Sequence, residues 1–470
     1  MTASPLAVLL PGFAGPTLPG WVAGRLDDGL AGVCLFGENI ESPEQLGLLT
    51  AEIRSHRPSA VIATDEEGGD VTRLYARSGA PDPGNGWLGH HDDEAVTAVV
   101  AAGIAAELAA GGVTLNLAPT ADVNADPDNP VIGTRSFGGD PALVARHTAA
   151  WVRAHEAAGV ATCLKHFPGH GDTDQDSHLA LPVVDASVET LEERDLPPFA
   201  AGIAAGATTV MTSHLRVPAL DDDRPATFSP TILGGLLRER LGFAGVVVSD
   251  ALDMAGASAD TGIPSAAVRA LAAGCDLLCL GTRITEGLLD EVVAAIETAV
   301  ADGRLPRARL EDAAARVARL VPRDVDATPA RRRRVDAVAA AAGFVVTPAA
   351  RHLLSLHAGG WRVVQLEDRP NIAVGSVPWG PGAVADVAHV DELTDPATLP
   401  RGPLVLVGRD LHRHGWMAAL VGRLRAERDD CLVVEMGTPH PGALLPDVTT
   451  YGGSALLGAA LLRLLAGEGS

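Results

Sequence analysis

Short apolar runs recur along the chain as far as Leu280, separated by longer stretches in which Ala, Leu and Val return at helical spacing. Eight runs have the length and bounding residues of buried strands: 6–10, 33–36, 60–64, 113–117, 161–164, 209–212, 246–249 and 276–280. The segments between them carry helix punctuation. Asp140-Pro141 offers a cap followed by a first-turn proline, and Gly159 a stop. Eight strand–helix units within about 300 residues predict a parallel (β/α)8 TIM-type barrel. Asp65, Asp122, Lys165, His166, His214 and Asp250 fall at, or just past, the C-terminal end of a predicted strand. In a barrel those ends share one face, where chemistry is placed.

The pattern changes after Gly281. A helix is predicted over 310–321, and residues 322–329 mix charge with two prolines. This sets a domain boundary near residue 325, with a barrel domain over 1–325 and a second domain over 326–470. The four arginines Arg331–Arg334 are most simply the solvated face of a helix starting after Thr328-Pro329. Strand-like runs at 362–366, 404–407 and 431–435, with a helix over 417–428, predict a smaller α/β sandwich. No GxGxxG-type signal marks it as a nucleotide site.

Composition narrows the partners. A formal net charge of −23 excludes nucleic acid and anionic membrane as binding surfaces of the ordinary basic kind. Hydrophobic residues make up 47% of the chain and aromatics only 3%, so Ala, Val, Leu and Gly do the packing. The five cysteines (Cys34, Cys163, Cys275, Cys279, Cys431) lie mostly in apolar runs, as free thiols of a reducing compartment do. The first apolar run has no basic stretch before it and is expected to be a strand rather than a signal peptide. No stretch is apolar and long enough to span a bilayer, and the expected location is cytoplasmic.

Lys165 is the single lysine among 36 basic Lys and Arg side chains. A chain that otherwise uses guanidiniums has kept one ammonium, a compact point charge. It opens the run Lys165-His166-Phe167-Pro168-Gly169-His170-Gly171-Asp172-Thr173-Asp174-Gln175-Asp176-Ser177-His178. Within it, Asp176 and His178 are spaced to hydrogen-bond on an extended loop, which would fix the imidazole tautomer and make a proton shuttle. A metal site is the rival use of His166, His170 and the aspartates, but Pro168 and Gly169 break the helix that a His-x-x-x-His zinc motif needs. No metal or cofactor is assigned. Asp250 ends the run Val246-Val247-Val248-Ser249 and suits a nucleophile or a helix N-cap. Asp65 has the same ambiguity, and Gly68-Gly69 beside it suggests close approach of backbone to a ligand.

These residues carry a family resemblance. The segments 63–69, 117–123, 129–138, 165–178 and 249–254 make the chain resemble the glycoside hydrolase family 3 β-N-acetylhexosaminidases of the NagZ-like branch. The resemblance implies a retaining hydrolase that removes terminal β-linked N-acetylglucosamine, with Asp250 as nucleophile and His178, held by Asp176, as acid/base. It implies that Asp65, Arg135, Lys165 and His166 grip the sugar, with Arg73, His214 and Met254 as further substrate contacts. Saccharides or muropeptides of cell-wall recycling are the implied substrates. Related β-glucosidases take their acid/base from a glutamate of the second domain, so the Asp176/His178 pair favours the hexosaminidase branch. Similar members tend to carry arginine where this chain has Asp70, which puts the natural leaving group in question.

Three alternatives stand beside that reading. A neutral histidine does not repel an anionic acceptor, so inorganic phosphate competes with water in a phosphorylase reading. Hydrolysis assisted by the substrate's own acetamido group would form no enzyme–sugar bond. A catalytically silent sugar-binding barrel would have no need of Asp176, His178 and Asp250 together.

Overall fold

The computed structural model describes residues 3–173, 175, 181–259, 261–320, 334–367, 374–440, 442 and 445–468. Eight parallel strands form one sheet: β1 (Leu9–Pro11), β2 (Gly32–Leu35), β3 (Val61–Thr64), β4 (Leu115–Asn116), β5 (Ala161–Phe167), β6 (Thr209–Thr212), β7 (Val246–Ser249) and β8 (Leu277–Gly281). Their order, β1-β8-β7-β6-β5-β4-β3-β2, curls the sheet into a nearly closed barrel. At the remaining seam the Ala31 N–H donates to the Leu6 carbonyl at 2.8 Å. The barrel is the expected α/β TIM-type fold. One expectation shifts: residues 5–8 form a 3-10 turn, and only the end of the 6–10 run is strand.

Both faces of these strands are buried, which is why they appear as apolar runs without alternation. Cys34, Ala63, Leu115, Cys163, Met211, Val248 and Cys279 fill the barrel interior. Val33, Ile62, Leu164, Val210, Val247 and Leu278 face outward to the surrounding helices. The helix Pro141–Ala157 starts as its punctuation suggests: the Asp140 side chain accepts from the Ala142 and Leu143 N–H groups. The five cysteines are free and buried.

A second sheet contains β9 (Val345–Val346), β10 (Arg362–Leu366), β11 (Ala388–Val390), β12 (Leu404–Gly408), β13 (Cys431–Glu435) and β14 (Val448–Thr449). The order is β11-β10-β12-β13-β14-β9, with β9 alone antiparallel. The helix Gly415–Glu427 packs Met417, Val421 and Leu424 on one face. Ala340 and the helix Ala455–Ala466, through Leu457, Ala460 and Leu461, cover the other. The result is an α/β sandwich. The linker boundary near 325 and most of the arginine run lie outside the described residues. Arg334 is described, and it donates to Glu107 at 2.8 Å and to the Tyr75 hydroxyl at 2.7 Å. No helix among the described residues is long and apolar enough to cross a membrane.

Candidate active site

The C-terminal ends of the barrel strands converge on a cavity of about 210 Å3. Asp65, Arg73, Arg135, Lys165, His166, Asp250 and Met254 all line it. Asp176 and His178 lie outside the described residues. His214 is brought close but not into the lining: it is fully buried, with Nδ1 at 2.9 Å from the Thr227 hydroxyl and Nε2 at 3.0 Å from the Ala251 carbonyl. That second contact props the backbone next to Asp250.

Lys165 extends from β5 and is buried, with only 1% of its surface exposed. Its Nζ donates to Asp65 Oδ1 at 2.8 Å and pairs with Glu67 Oε1 at 2.7 Å. Burial alone would push the ammonium towards its neutral form, but Asp65 and Glu67 outweigh it and raise its pKa. Arg135 grips the same Glu67 as a fork, Nη2 to Oε1 at 2.8 Å and Nε to Oε2 at 3.1 Å. Burial opposes ionisation of Glu67, yet Arg135 and Lys165 hold it well below the usual carboxylate range. Glu67 was not singled out from the sequence. Its signal is only its place, two residues after Asp65, because its role is to balance cations from distant segments.

Asp122 is the second organiser. Its Oδ1 accepts the backbone N–H groups of His166 and His170 at 3.1 and 2.7 Å. Its Oδ2 lies 2.7 Å from His166 Nδ1, which fixes the ring with Nδ1 protonated and Nε2 towards Arg135 at 3.4 Å. Burial would raise the Asp122 pKa, but His166 dominates and lowers it. Burial and the neighbouring His166 push the His170 imidazole down to about 4. Asp122 stood among the strand-end acids in the sequence without a role.

The loop bearing Arg135 is held by its own polar side chains. Asn129 Oδ1 accepts from the Val131 and Ile132 N–H groups, and its amide donates to the His170 carbonyl at 2.9 Å. The loops after β4 and β5 are thereby tied together. Asp172 pairs with Arg194 at 2.8 Å, so this aspartate is engaged away from the cavity.

The geometry bears on two of the structural roles read from the sequence. Asp250 caps no helix: its Oδ1 accepts the Ala251 N–H at 2.8 Å, and the next helix begins only at Ala255. The Gly68-Gly69 pair is required by the chain's own packing. Gly68 sits at φ +85°, and a Cβ on Gly69 would lie 2.6 Å from the Gly84 Cα.

Facing Asp250, the carboxyl of Asp253 accepts the Thr282 N–H at 2.9 Å, and burial raises its pKa. Met254, Val71, Phe36 and Met211 supply apolar wall. The cavity thus combines the strand-end carboxylates Asp65 and Asp250, a network of charged hydrogen-bonding groups and apolar patches. That set suits a small polyhydroxylated ligand with an apolar substituent.

Residues 25–320 match the model of the glycosyl hydrolase family 3 N-terminal domain. A beta-hexosaminidase A of Pseudoalteromonas piscicida is 37% identical over 316 residues, 62% of this chain and 53% of that protein, so the chain spans about half the length of that relative. A beta-hexosaminidase of Xylella fastidiosa strain M23 is 41% identical over 290 residues, 60% of this chain and 86% of the relative. The structure of a glycoside hydrolase family 3 beta-N-acetylglucosaminidase from Paenibacillus sp. str. FPU-7 superposes with a TM-score of 0.85. It is 29% identical, covering 99% of this chain and 96% of that one.

Proposed function

The chain belongs to glycosyl hydrolase family 3, and from that premise we propose that it removes terminal β-linked N-acetylglucosamine with retention of configuration. Asp250 attacks the anomeric carbon while the protonated His178 gives its proton to the leaving oxygen, and a covalent glycosyl–Asp250 ester forms. The neutral His178 then takes a proton from water as that water displaces Asp250, which restores both groups. Asp176 holds the His178 ring in the required tautomer.

The observation that carries this reading is the common cavity: Asp250 opens onto the space bordered by Asp65, Lys165, Arg135 and His166. A carboxylate there meets a sugar whose hydroxyls find charged partners on the opposite wall. The similarity to hexosaminidases and to an acetylglucosaminidase supports the acetamido sugar. The apolar wall at Met254 and Met211 suits its methyl group. Muropeptide fragments are the substrates in which we place this sugar. The free thiols support a reducing, cytoplasmic setting.

The test is product identification with a chromogenic β-N-acetylglucosaminide and the matching β-glucoside, with and without inorganic phosphate. Free N-acetylglucosamine as the main product is expected. A preference for the glucoside contradicts the sugar assignment, and sugar-1-phosphate as the main product assigns the phosphorolytic alternative.

A further inference from the structure

Five free cysteines lie buried in the chain, and two of them, Cys34 and Cys279, line the sugar cavity. Cys34 stands on β2 and Cys279 on β8, the strands that flank β1. Both side chains belong to the barrel interior, with 0% and 3% of their surface exposed. A hydrogen bond joins the two thiols, and that bond and then burial push the Cys34 thiol well above its ordinary pKa. Met211 of β6 brings a thioether to the same cavity. The barrel interior thus presents three sulfurs to whatever enters.

A thiol pair of this kind holds one proton between two sulfurs. Losing both thiol protons would bury two negative charges, which the nearby Asp65 carboxylate opposes. A monovalent cation that replaces the shared proton leaves the net charge unchanged. Thiolate and thioether donors select a soft ion such as copper(I). Zinc asks for four ligands, and among the described residues no three His, Cys, Asp or Glu side chains are placed to share an ion. The Cys279 backbone also holds the turn that carries Asp250. Its N–H donates to Ser249 Oγ at 3.1 Å, and its carbonyl accepts the Leu252 N–H at 2.9 Å. An ion at the Cys279 sulfur therefore takes up cavity space and pulls on the segment of the proposed nucleophile.

We propose that Cys34 and Cys279, with Met211 as a third donor, bind a soft monovalent cation of the copper(I) type that shuts the sugar cavity. The ion bonds to one thiolate and to the remaining thiol. One S–H bond breaks, its proton goes to solvent, and no electron is transferred. The binding site stands on the cysteine pair, while the block of activity rests on the hydrolase reading above.

The probe is silver(I), an air-stable ion with the same preference for sulfur. It is titrated into the full-length protein in chloride-free buffer, and native mass spectrometry counts the bound ions. The wild type is expected to bind one ion more than Cys34→Ala or Cys279→Ala. Turnover of a chromogenic β-N-acetylglucosaminide is followed in the same titration, each protein being compared with its own silver-free activity. Silver is expected to raise KM, and each substitution to raise the inhibitory concentration at least about tenfold. Cys34→Val and Cys279→Val replace an alanine variant that fails to fold. An ion count and an inhibition that are the same in wild type and variants overturn the site. A cysteine-dependent ion that leaves the wild-type kinetics unchanged overturns the block alone. Failure to cleave any N-acetylglucosaminide overturns the hydrolase reading and the block together, and the ion count then decides the site by itself.

Discussion

Lys165 Nζ pairs with Glu67 Oε1 at 2.7 Å, and both side chains are almost fully buried. The only lysine of the chain is thus held by a carboxylate that also binds the Arg135 fork. Removing that carboxylate's charge leaves two buried cations under-compensated. Glu67→Gln is expected to cost about 3–5 kcal/mol of stability and to raise KM for the sugar. Thermal melts and steady-state kinetics check both.

Lys165→Arg and His178→Ala separate binding from chemistry. The Lys165 ammonium is buried between Asp65 and Glu67, and a planar guanidinium does not reproduce those two contacts, so the first change is expected mainly to raise KM. The second removes the proposed proton shuttle and is expected to lower kcat by about 10²–10⁴-fold. Kinetics in which both variants resemble the wild type contradict the assignment.

Stability should also report a buried acid near the site. Glu66 accepts from Thr72, Arg73 and Leu74, yet burial outweighs these bonds and pushes its carboxyl from 4.5 up to about 7. A carboxyl raised in the fold keeps its proton there longer than in the unfolded chain. Its contribution is therefore complete below pH 4.5 and fades as pH rises to about 7. Glu66→Gln removes this titration. Across that interval the wild type is expected to lose about 3 kcal/mol relative to the variant, measured as the difference between their melting curves.

Much of the fold was legible because a parallel barrel buries both faces of its strands, so runs such as Val246–Ser249 stand out from Ala-rich helices. The ends were less so: at residues 5–8 Pro5 follows the capping Ser4 and a turn wins over apolar propensity. In the site, Lys165 and Asp250 announced themselves by rarity and by position at strand ends. Glu67 did not, and Asp122 showed its strand-end position but not its role, because the groups these acids hold lie far away in sequence. Asp70 was visible as an oddity, but its contacts with Gly453 and Arg409 belong to the packing of two domains.

That packing yields another expectation. Asp70→Ala removes acceptors from Thr134 and Gly453 and is expected to cost about 1–3 kcal/mol, with easier proteolysis between the domains. Asp70→Asn, which keeps an acceptor oxygen, should recover part of the loss. Equal stability of all three proteins contradicts the domain-tie role.

The central claim is that Asp250 forms a bond to the sugar. A fluorinated N-acetylglucosamine analogue with a good leaving group slows the breakdown of such an ester, and peptide mass spectrometry then locates it. The account predicts one added sugar on the peptide containing Asp250, and none in Asp250→Asn. Label on a different residue, or full activity of Asp250→Asn, contradicts it.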